Sequence, residues 1–276
     1  MTAASSDTIL ITGGTGTTGR RIAARLEAAG HAVRAGSREG SPPFRWEVPA
    51  TWDAVLDGVG AVYLCYHPDL SVPGAPEVVG AFAERAAARG VGRMVLLSGR
   101  GEADAERAER IVRGIAPRAT IIRAAWFAQN FSENFLAGPV REGVVALPVG
   151  DVREPFIDVE DIADIAAAAL TGDGHAGELY EVTGPRLMTF AEATAEIAGA
   201  TGREIAYARI AIDDLAAGLA DAGAPDGEVE LVRYLFTEVL DGRNERLEDG
   251  VRRALGRPPR DFADYARSAA ADGAWA

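Results

Sequence analysis

The sequence predicts an α/β fold with a parallel sheet, and three observations carry this prediction. Short apolar runs alternate with amphipathic segments through the first half of the chain. Runs such as Val62 to Cys65 and Met94 to Leu97 are apolar without interruption, which is typical of strands buried on both faces. The chain has 276 residues, 48% of them hydrophobic, and this suffices for a substantial core. Strands joined through helices then form right-handed crossovers.

The elements follow from this alternation in chain order. Apolar runs predict strands at 8–12, 32–36, 61–66, 93–98 and 119–123, and amphipathic segments predict helices at 17–29, 51–57, 75–89 and 103–114. The less regular second half predicts strands at 156–159, at 179–182 and after Ile205, and helices at 160–170, 189–198, 212–221, 227–240 and 246–255. Thr189 and Glu192 have capping-box spacing at the start of one of these helices. We expect residues 1–150 to form the larger domain, and 151–276 a smaller α/β lobe partly interwoven with it.

A glycine run joins the first strand to the first helix. Gly13 allows a tight turn, Gly16 lets the backbone approach phosphate oxygens, and Gly19 lets the helix pack close to the strand. The helix N-terminus adds free N–H groups and the positive end of its dipole. The run therefore predicts a Rossmann-type, doubly wound dinucleotide-binding fold rather than a loop that merely turns the chain. Its predicted cofactor-binding residues are Gly13, Thr15, Gly16, Thr17, Thr18 and Gly19.

The end of the second strand indicates which cofactor is bound. NAD sites usually place an acidic residue there, whereas this chain has Ser37 and Arg38. A hydroxyl and a planar guanidinium suit a 2′-phosphate, so the sequence favours NADP(H). Glu39 comes one position too late to replace the NAD carboxylate. Arg34 either reaches the adenine region or is simply solvated at the strand edge.

Composition and charge exclude several classes of function. A net charge of −13 opposes binding to nucleic acid. A single cysteine and three scattered histidines predict neither a disulfide nor a metal site. The segment from Met1 to Asp7 does not resemble a targeting signal, and no apolar run is long enough to span a membrane. We therefore expect a cytoplasmic monomer or homodimer that binds a small-molecule substrate.

The chain contains no lysine, and this limits its chemistry. One common way to protonate a developing alkoxide is a Tyr-x-x-x-Lys pair, in which the lysine lowers the pKa of the tyrosine, and this pair is impossible here. Acceptors that need little proton donation are favoured instead: a quinone, an azo bond, a conjugated carbonyl or a preformed iminium. For these, orientation and exclusion of water supply much of the catalytic effect.

Longer motifs give the chain a family resemblance. They are Ala61 to Leu64, Val95 to Ser98, Thr120 to Phe131, Pro155 to Ala163 and Leu255 to Phe262. With these the chain resembles the NmrA-like, or atypical short-chain dehydrogenase/reductase, family. The resemblance implies an NADP(H)-binding fold. It also implies either reduction of quinones, azo compounds or iminium ions, or NADP(H) sensing without known turnover. Ala105 replaces a histidine that quinone-reductase-like members carry four residues before the glutamate matched by Glu109, and Ala124 replaces a frequent proline.

Three segments are expected to meet at the carboxyl edge of the sheet. The resemblance implies that the backbone around Cys65, Tyr66 and Ala125 to Phe127 lines the cofactor and the substrate. The predicted cofactor-binding residues here are Cys65, Tyr66, Ser98, Ala125 and Phe127; the predicted substrate-binding residues are Trp126, Phe127 and Asn130; and the candidate catalytic residues are Tyr66, His67 and Ser98. The two aromatic residues are alternatively core, Asn130 a loop-bonding residue and Ser98 a strand-end turn residue. Asp158 and Asp161 look like paired carboxylates, but their place at a helix start favours interaction with the helix dipole.

The leading hypothesis is an NADPH-dependent reductase that transfers hydride to a small planar or cyclic metabolite. A non-catalytic regulator that senses NADP(H) is the alternative. An isomerase or epimerase on the same fold is a third, weaker hypothesis.

Overall fold

The computed structural model describes residues 8–276, so the prediction about Met1 to Asp7 lies outside the described residues. The strands are β1 (Thr8–Thr12), β2 (Val33–Gly36), β3 (Val59–Leu64), β4 (Arg93–Gly99), β5 (Thr120–Ala124), β6 (Val144–Leu147), β7 (Arg153–Glu154), β8 (Leu179–Val182), β9 (Met188–Thr189) and β10 (Ala206–Arg209). The helices are α1 (Gly19–Ala28), α2 (Trp52–Leu56), α3 (Ala75–Ala88), α4 (Ala103–Ile115), α5 (Ala137–Glu142), α6 (Val159–Thr171), α7 (Phe190–Thr201), α8 (Ile212–Asp221), α9 (Asp226–Tyr234), α10 (Gly250–Leu255) and α11 (Phe262–Ala271).

A six-stranded parallel sheet lies at the centre, in the order β2-β1-β3-β4-β5-β8. β1 pairs with β2 on one side and with β3 on the other, so the direction of winding reverses at β1. In doubly wound sheets this reversal opens a crevice at the carboxyl ends of the strands, where ligands bind. The predicted Rossmann-type fold class is confirmed.

The chain divides into two compact units that interleave along the sequence. Unit 1 comprises residues 1–123, 160–181 and 253–256, and unit 2 comprises 124–159, 182–252 and 257–276. These units are defined by packing. The predicted domain boundary at residue 150 falls inside unit 2, and the two-domain division remains a prediction.

Aromatic packing dominates the core of unit 1. The fully buried ring of Phe82 meets Phe44, Trp46 and Trp52 edge-on, with ring centroids 5.2 to 5.4 Å apart. Edge-to-face contacts of this kind add to the stabilisation from buried apolar area. This cluster supports the strands that carry the predicted cofactor residues.

Unit 2 has its own core beneath two small sheets, β6 with β10 and β7 with β9. Phe131 packs edge-on against Phe156 and Phe262, with both centroid separations 5.6 Å. The indole N–H of Trp275 donates to the carbonyl of Phe131 at 2.7 Å, so the C-terminal segment is fixed to this core.

Several predicted elements need correction. Instead of the strand expected at 156–159 there is one isolated bridge between Ile157 and Phe127. The helix expected at 17–29 begins at Gly19, and the one expected at 246–255 begins at Gly250. Helices α5 and α11 were not predicted. α5 gives a poor signal because it contains glycine and proline, which disfavour helix. α11 was missed although Asp261 before it is a recognisable N-cap. Across residues 8–276, the structure has no helix of the length and apolar character needed for a membrane span.

Candidate functional site

The glycine turn in unit 1 has the geometry that its sequence predicts. Gly13 has φ +64°, which favours glycine. A Cβ on Gly19 would overlap the carbonyl of Gly13, so the start of α1 packs directly on the turn. A Cβ on Gly14 would lie 2.7 Å from the Cβ of Ala35. This last constraint was missed, because it depends on how closely β2 approaches the turn.

Backbone N–H groups are available at the start of α1. Gly16 donates to the carbonyl of Gly13 and Arg20 to that of Gly16. Among residues 8–276, no backbone carbonyl accepts a hydrogen bond from the N–H groups of Thr17, Thr18 or Gly19. Free N–H groups at a helix N-terminus suit a phosphate group.

The turn lies beside the end of β2. Gly14 N–H donates to the carbonyl of Gly36 at 3.4 Å, and the backbone of Ser37 then closes a loop by accepting from Gly40 and Phe44. Arg38 is exposed and has no ion-pair partner within the described part of the chain. Arg34 fits neither role considered from the sequence, since its guanidinium donates to the carbonyls of Val55 and Asp57, both at 2.7 Å.

Hydrogen bonds tie the end of β3 to the turn. The Thr12 hydroxyl donates to the carbonyl of Tyr63 at 2.9 Å and accepts from Cys65 N–H at 2.8 Å. The Tyr63 phenol donates to the hydroxyl of Thr18 at 3.2 Å. The Thr18 side chain is therefore part of the scaffold, and its backbone N–H remains for a ligand. Burial raises the pKa of the Cys65 thiol to about 11, so it is protonated at neutral pH.

Tyr66 and His67 follow β3 directly. Tyr66 is half-buried and packs on Trp46, with ring centroids 5.3 Å apart. Burial, and then the nearby Glu47 carboxylate, raise the pKa of the Tyr66 phenol, so the phenol retains its proton at neutral pH. His67 is exposed.

Ser98 lies within a buried charge network at the end of β4. Its hydroxyl donates to Oε1 of Glu109 at 2.6 Å. Arg123 holds both oxygens of the same carboxylate, at 2.9 and 2.6 Å, and these bonds raise the pKa of the arginine. The only proton that Ser98 can donate is thus directed at Glu109 rather than at a substrate.

A second buried carboxyl group lies beside the end of β4. Oε2 of Glu102 accepts a hydrogen bond from the Ser71 hydroxyl at 2.7 Å, and a Cβ on Gly99 would overlap this carboxyl group. Burial, and then the nearby Asp69 carboxylate, raise the pKa of Glu102. The hydrogen-bonded pair of Ser71 and Glu102 gives no signal in the sequence, because the two residues lie 31 positions apart.

In unit 2, backbone bonds fix the segment that follows β5. Ala125 N–H donates to the carbonyl of Val182 at 3.0 Å, so only its carbonyl and methyl groups remain for a cofactor. Phe127 pairs with Ile157 and is half-buried. Asn130 accepts from Asn134 through its side chain at 2.9 Å, which is the loop-bonding role considered as its alternative.

The two predicted aspartates are part of a helix start, as expected. Gln129 donates to Asp158 at 2.7 Å, and its own Oε1 accepts from the N–H of Val159, the first residue of α6. Asp158 and Gln129 are both buried, and Asp161 lies in the first turn of the helix. Gln129 was missed, since an isolated glutamine gives no signal in a single sequence.

Trp126 is half-buried among phenylalanine rings of unit 2. Its ring centroid lies 5.6 Å from that of Phe236 and 5.9 Å from that of Phe190. The tryptophan therefore packs against the hydrophobic core of unit 2.

The residues of unit 1 fit a dinucleotide phosphate. The close-packed glycines, the N–H groups at the start of α1 and the exposed Arg38 lie on consecutive segments joined by the hydrogen bond from Gly14 to Gly36. Within residues 8–276 there is no group of three His, Cys, Asp or Glu side chains suited to hold a metal ion.

Comparison with known proteins gives relatives along almost the whole chain. No protein-family model matches. The chain is 32% identical to agroclavine dehydrogenase from Claviceps fusiformis, covering 94% of this chain and 96% of that one. It is also 32% identical to (4-alkanoyl-5-oxo-2,5-dihydrofuran-3-yl)methyl phosphate reductase from Streptomyces griseus, over 93% and 96%. The crystal structure of the NADPH-dependent quinone oxidoreductase from Escherichia coli complexed with NADPH shares the fold, with a TM-score of 0.74 at 21% identity over 94% and 99% of the two chains.

These full-length similarities agree with the motifs that gave the resemblance, from the glycine turn to the segment ending at Phe262. The chain belongs to the NmrA-like, atypical short-chain dehydrogenase/reductase family.

Proposed function

We propose that this protein is an NADPH-dependent reductase that transfers hydride to a small planar or cyclic metabolite without a Tyr-x-x-x-Lys pair. The observation that carries the proposal is the combination, in unit 1, of a glycine turn suited to phosphate with an exposed Arg38 at the end of β2 that has no ion-pair partner among residues 8–276. Relatives that are named dehydrogenases and reductases support it.

Each part of unit 1 has a defined task under this proposal. Gly13, Thr15, Gly16, Thr17, Thr18 and Gly19 bind the pyrophosphate mainly through the backbone, and Ser37 with Arg38 binds the 2′-phosphate. NADPH, when bound, supplies the hydride. Cys65 lines the cofactor as a neutral thiol. The Ser98 hydroxyl donates to Glu109, which leaves its oxygen to accept a hydrogen bond from a ligand. Because the Ser98 hydroxyl proton is donated to Glu109, a cofactor or substrate group that binds Ser98 must itself donate the hydrogen bond.

Proton delivery rests with Tyr66 in this proposal, and His67 is the second candidate. The phenol retains its proton at neutral pH, because burial and Glu47 raise its pKa. Without a lysine to lower that pKa, the phenol is a weak acid and suits acceptors that need little proton donation. Quinones, azo compounds and conjugated carbonyls are therefore better substrates than simple ketones.

Residues of unit 2 complete the assignment. We propose that Ala125 and Phe127 contact the cofactor, and that Trp126, Phe127 and Asn130 contact the substrate. For the protein as a whole we propose a cytoplasmic location and a monomeric or homodimeric state. The net charge of −13 supports the absence of a nucleic-acid partner.

The experiment is NADPH oxidation by the purified protein with 1,4-naphthoquinone, an azo dye, a cyclic iminium ion and a conjugated enone. We expect turnover with at least one of these acceptors. Binding of NADPH without turnover of any acceptor would contradict the proposal and favour a cofactor-sensing regulator.

A further inference from the structure

The indole N–H of Trp126 is buried and has no acceptor among residues 8–276. The fold satisfies the corresponding groups of two other tryptophans. Trp52 donates to the carbonyl of Arg45 at 3.0 Å, and Trp275 donates to that of Phe131 at 2.7 Å. A buried donor without an acceptor costs about 1–3 kcal/mol, so its retention calls for a specific explanation.

Trp126 belongs to an aromatic cluster in unit 2, together with Phe135, Phe190 and Phe236. The Trp126 ring meets the three phenylalanine rings near edge-on, with centroid separations of 5.6 to 6.4 Å. Phe190 is fully buried, whereas Phe135 is 39% exposed. The cluster therefore runs from the core of unit 2 to its surface, and flat apolar faces with a polar group among them are typical of small-molecule sites.

The backbone that carries Phe236 is also unusual. Residues Leu235–Val239 form a single π-helical turn at the end of α9. Such turns are rare and frequently occur at functional sites. This turn places the Phe236 ring 5.6 Å from Trp126 and 6.2 Å from Phe135.

We propose that the aromatic cluster is a substrate subsite for a planar ring bearing a carbonyl oxygen, which accepts a hydrogen bond from Nε1 of Trp126. This inference rests on the proposed reductase function and narrows its substrate class. A quinone or conjugated carbonyl supplies the acceptor oxygen. An iminium nitrogen carries positive charge and has no lone pair, so it leaves the indole N–H unsatisfied.

Three two-ring probes test the proposal: 1,4-naphthoquinone, naphthalene and N-methylquinolinium. They have similar ring area, but only the quinone carries an acceptor oxygen. Binding is measured with NADP⁺ present, so that no turnover occurs, on protein carrying ¹⁵N in its tryptophan side chains. The spectrum of Trp126→Phe, which lacks one signal, identifies the Trp126 indole resonance. We expect this resonance to move downfield with naphthoquinone and not with the other two probes.

The same variant gives an independent affinity measurement. Trp126→Phe retains an aromatic ring but removes the donor, so the Kd of naphthoquinone should rise about five- to tenfold, as expected for one hydrogen bond. The Kd of naphthalene should stay nearly constant. Both Trp126→Phe and the matched variant Trp275→Phe remove ring volume, but only Trp275→Phe also loses a hydrogen bond, to the carbonyl of Phe131. Trp275→Phe should therefore lower the melting temperature more than Trp126→Phe. A second variant, Phe236→Leu, removes an aromatic face and should weaken the binding of all three probes.

Two outcomes overturn the subsite: a Trp126 resonance that responds equally to naphthoquinone and naphthalene, or an unchanged naphthoquinone Kd in Trp126→Phe. Failure of the proposed function is distinguishable. Selective movement of the resonance in a protein that does not oxidise NADPH contradicts the reductase function and leaves the subsite in place.

Discussion

The Ser98 hydroxyl donates to the carboxylate of Glu109 at 2.6 Å, and Arg123 binds the same carboxylate through two N–H groups. Ser98 and Glu109 are both buried. This arrangement uses both oxygens of the carboxylate and the only proton of the serine. Glu109 is therefore the centre of the network that links β4, α4 and β5.

Replacing Glu109 with alanine should destabilise the protein by about 2 kcal/mol, because Arg123 loses two short charge-assisted hydrogen bonds and is left with the 3.7 Å ion pairs with Glu106 and Glu181. Ser98→Ala removes one hydrogen bond and should cost about 1 kcal/mol. Urea unfolding measures both changes. The matched control is Asp213→Asn, which breaks a 2.8 Å ion pair with Arg233 at an exposed position and should change little. Equal effects of Glu109→Ala and Asp213→Asn would contradict the structural role given to Glu109.

The glycine turn should not tolerate a side chain at its last position. A Cβ on Gly19 overlaps the carbonyl of Gly13, so Gly19→Ala should cost about 1–3 kcal/mol of stability and weaken NADPH binding by displacing the turn. Gly114→Ala in α4 is the control, because open space surrounds that position and alanine favours helix. Calorimetric titration with NADPH and thermal unfolding measure the two effects. Unchanged NADPH affinity in Gly19→Ala would count against phosphate binding at this turn.

Arg38→Ala should raise the Kd of NADPH about 10- to 100-fold and leave the Kd of NADH nearly unchanged, since a charge-assisted contact to the 2′-phosphate is lost. Arg118→Ala is a matched control: it is also an exposed arginine of unit 1, but it precedes β5 and so lies at the amino edge of the sheet. Dissociation constants for both nucleotides decide the question. Equal losses for NADPH and NADH would contradict the assignment of Arg38.

Glu102 gives a prediction about pH. Burial and Asp69 raise the pKa of Glu102 in the folded protein, so the native state binds more protons than the unfolded state in the window above the unfolded pKa of about 4.3. The free energy of unfolding contributed by this group therefore falls as pH rises through that window. Glu102→Gln does not titrate and can still accept a hydrogen bond from Ser71.

The stabilisation by Glu102→Gln, relative to the parent, should be greater at pH 7.5 than at pH 4.5, because only the parent must deprotonate this buried carboxyl group as the pH rises. Urea unfolding at the two pH values measures it. The charged group facing Glu102 is Asp69, so Asp69→Asn should reduce the pH dependence as well. If Glu102→Gln changed the free energy of unfolding by the same amount at both pH values, the raised pKa of Glu102 would be contradicted.

Local sequence signals predicted the first half of the fold well. Uninterrupted apolar runs identified β3 and β4, because strands buried on both faces leave a pattern that does not depend on their neighbours. Thr189 and Glu192 form the predicted capping box at the start of α7, since a cap involves only residues that are adjacent in sequence. The predicted strand at 156–159 was wrong, because its residues are used to bond Gln129 and to begin α6.

The candidate site was only partly accessible to the same reasoning. Composition alone established the absence of lysine and the acidic net charge, and spacing alone marked Gly13, Gly16 and Gly19. The sequence did not reveal that Ser98 donates to Glu109 or that the Trp126 indole lacks an acceptor within the described part of the chain. Both facts depend on which groups the fold brings next to these side chains, and spacing along the chain does not show this.

For this protein, then, the sequence by itself determined the parallel sheet, the phosphate-binding turn and the unavailability of a Tyr-x-x-x-Lys pair. These depend on the properties of short segments or on residues that the chain does not contain. Only the tertiary structure decided which polar groups are already paired. A hydrogen bond such as that from Ser98 to Glu109 depends on the packing of β4 against α4, and packing brings together residues whose spacing along the chain carries no signal.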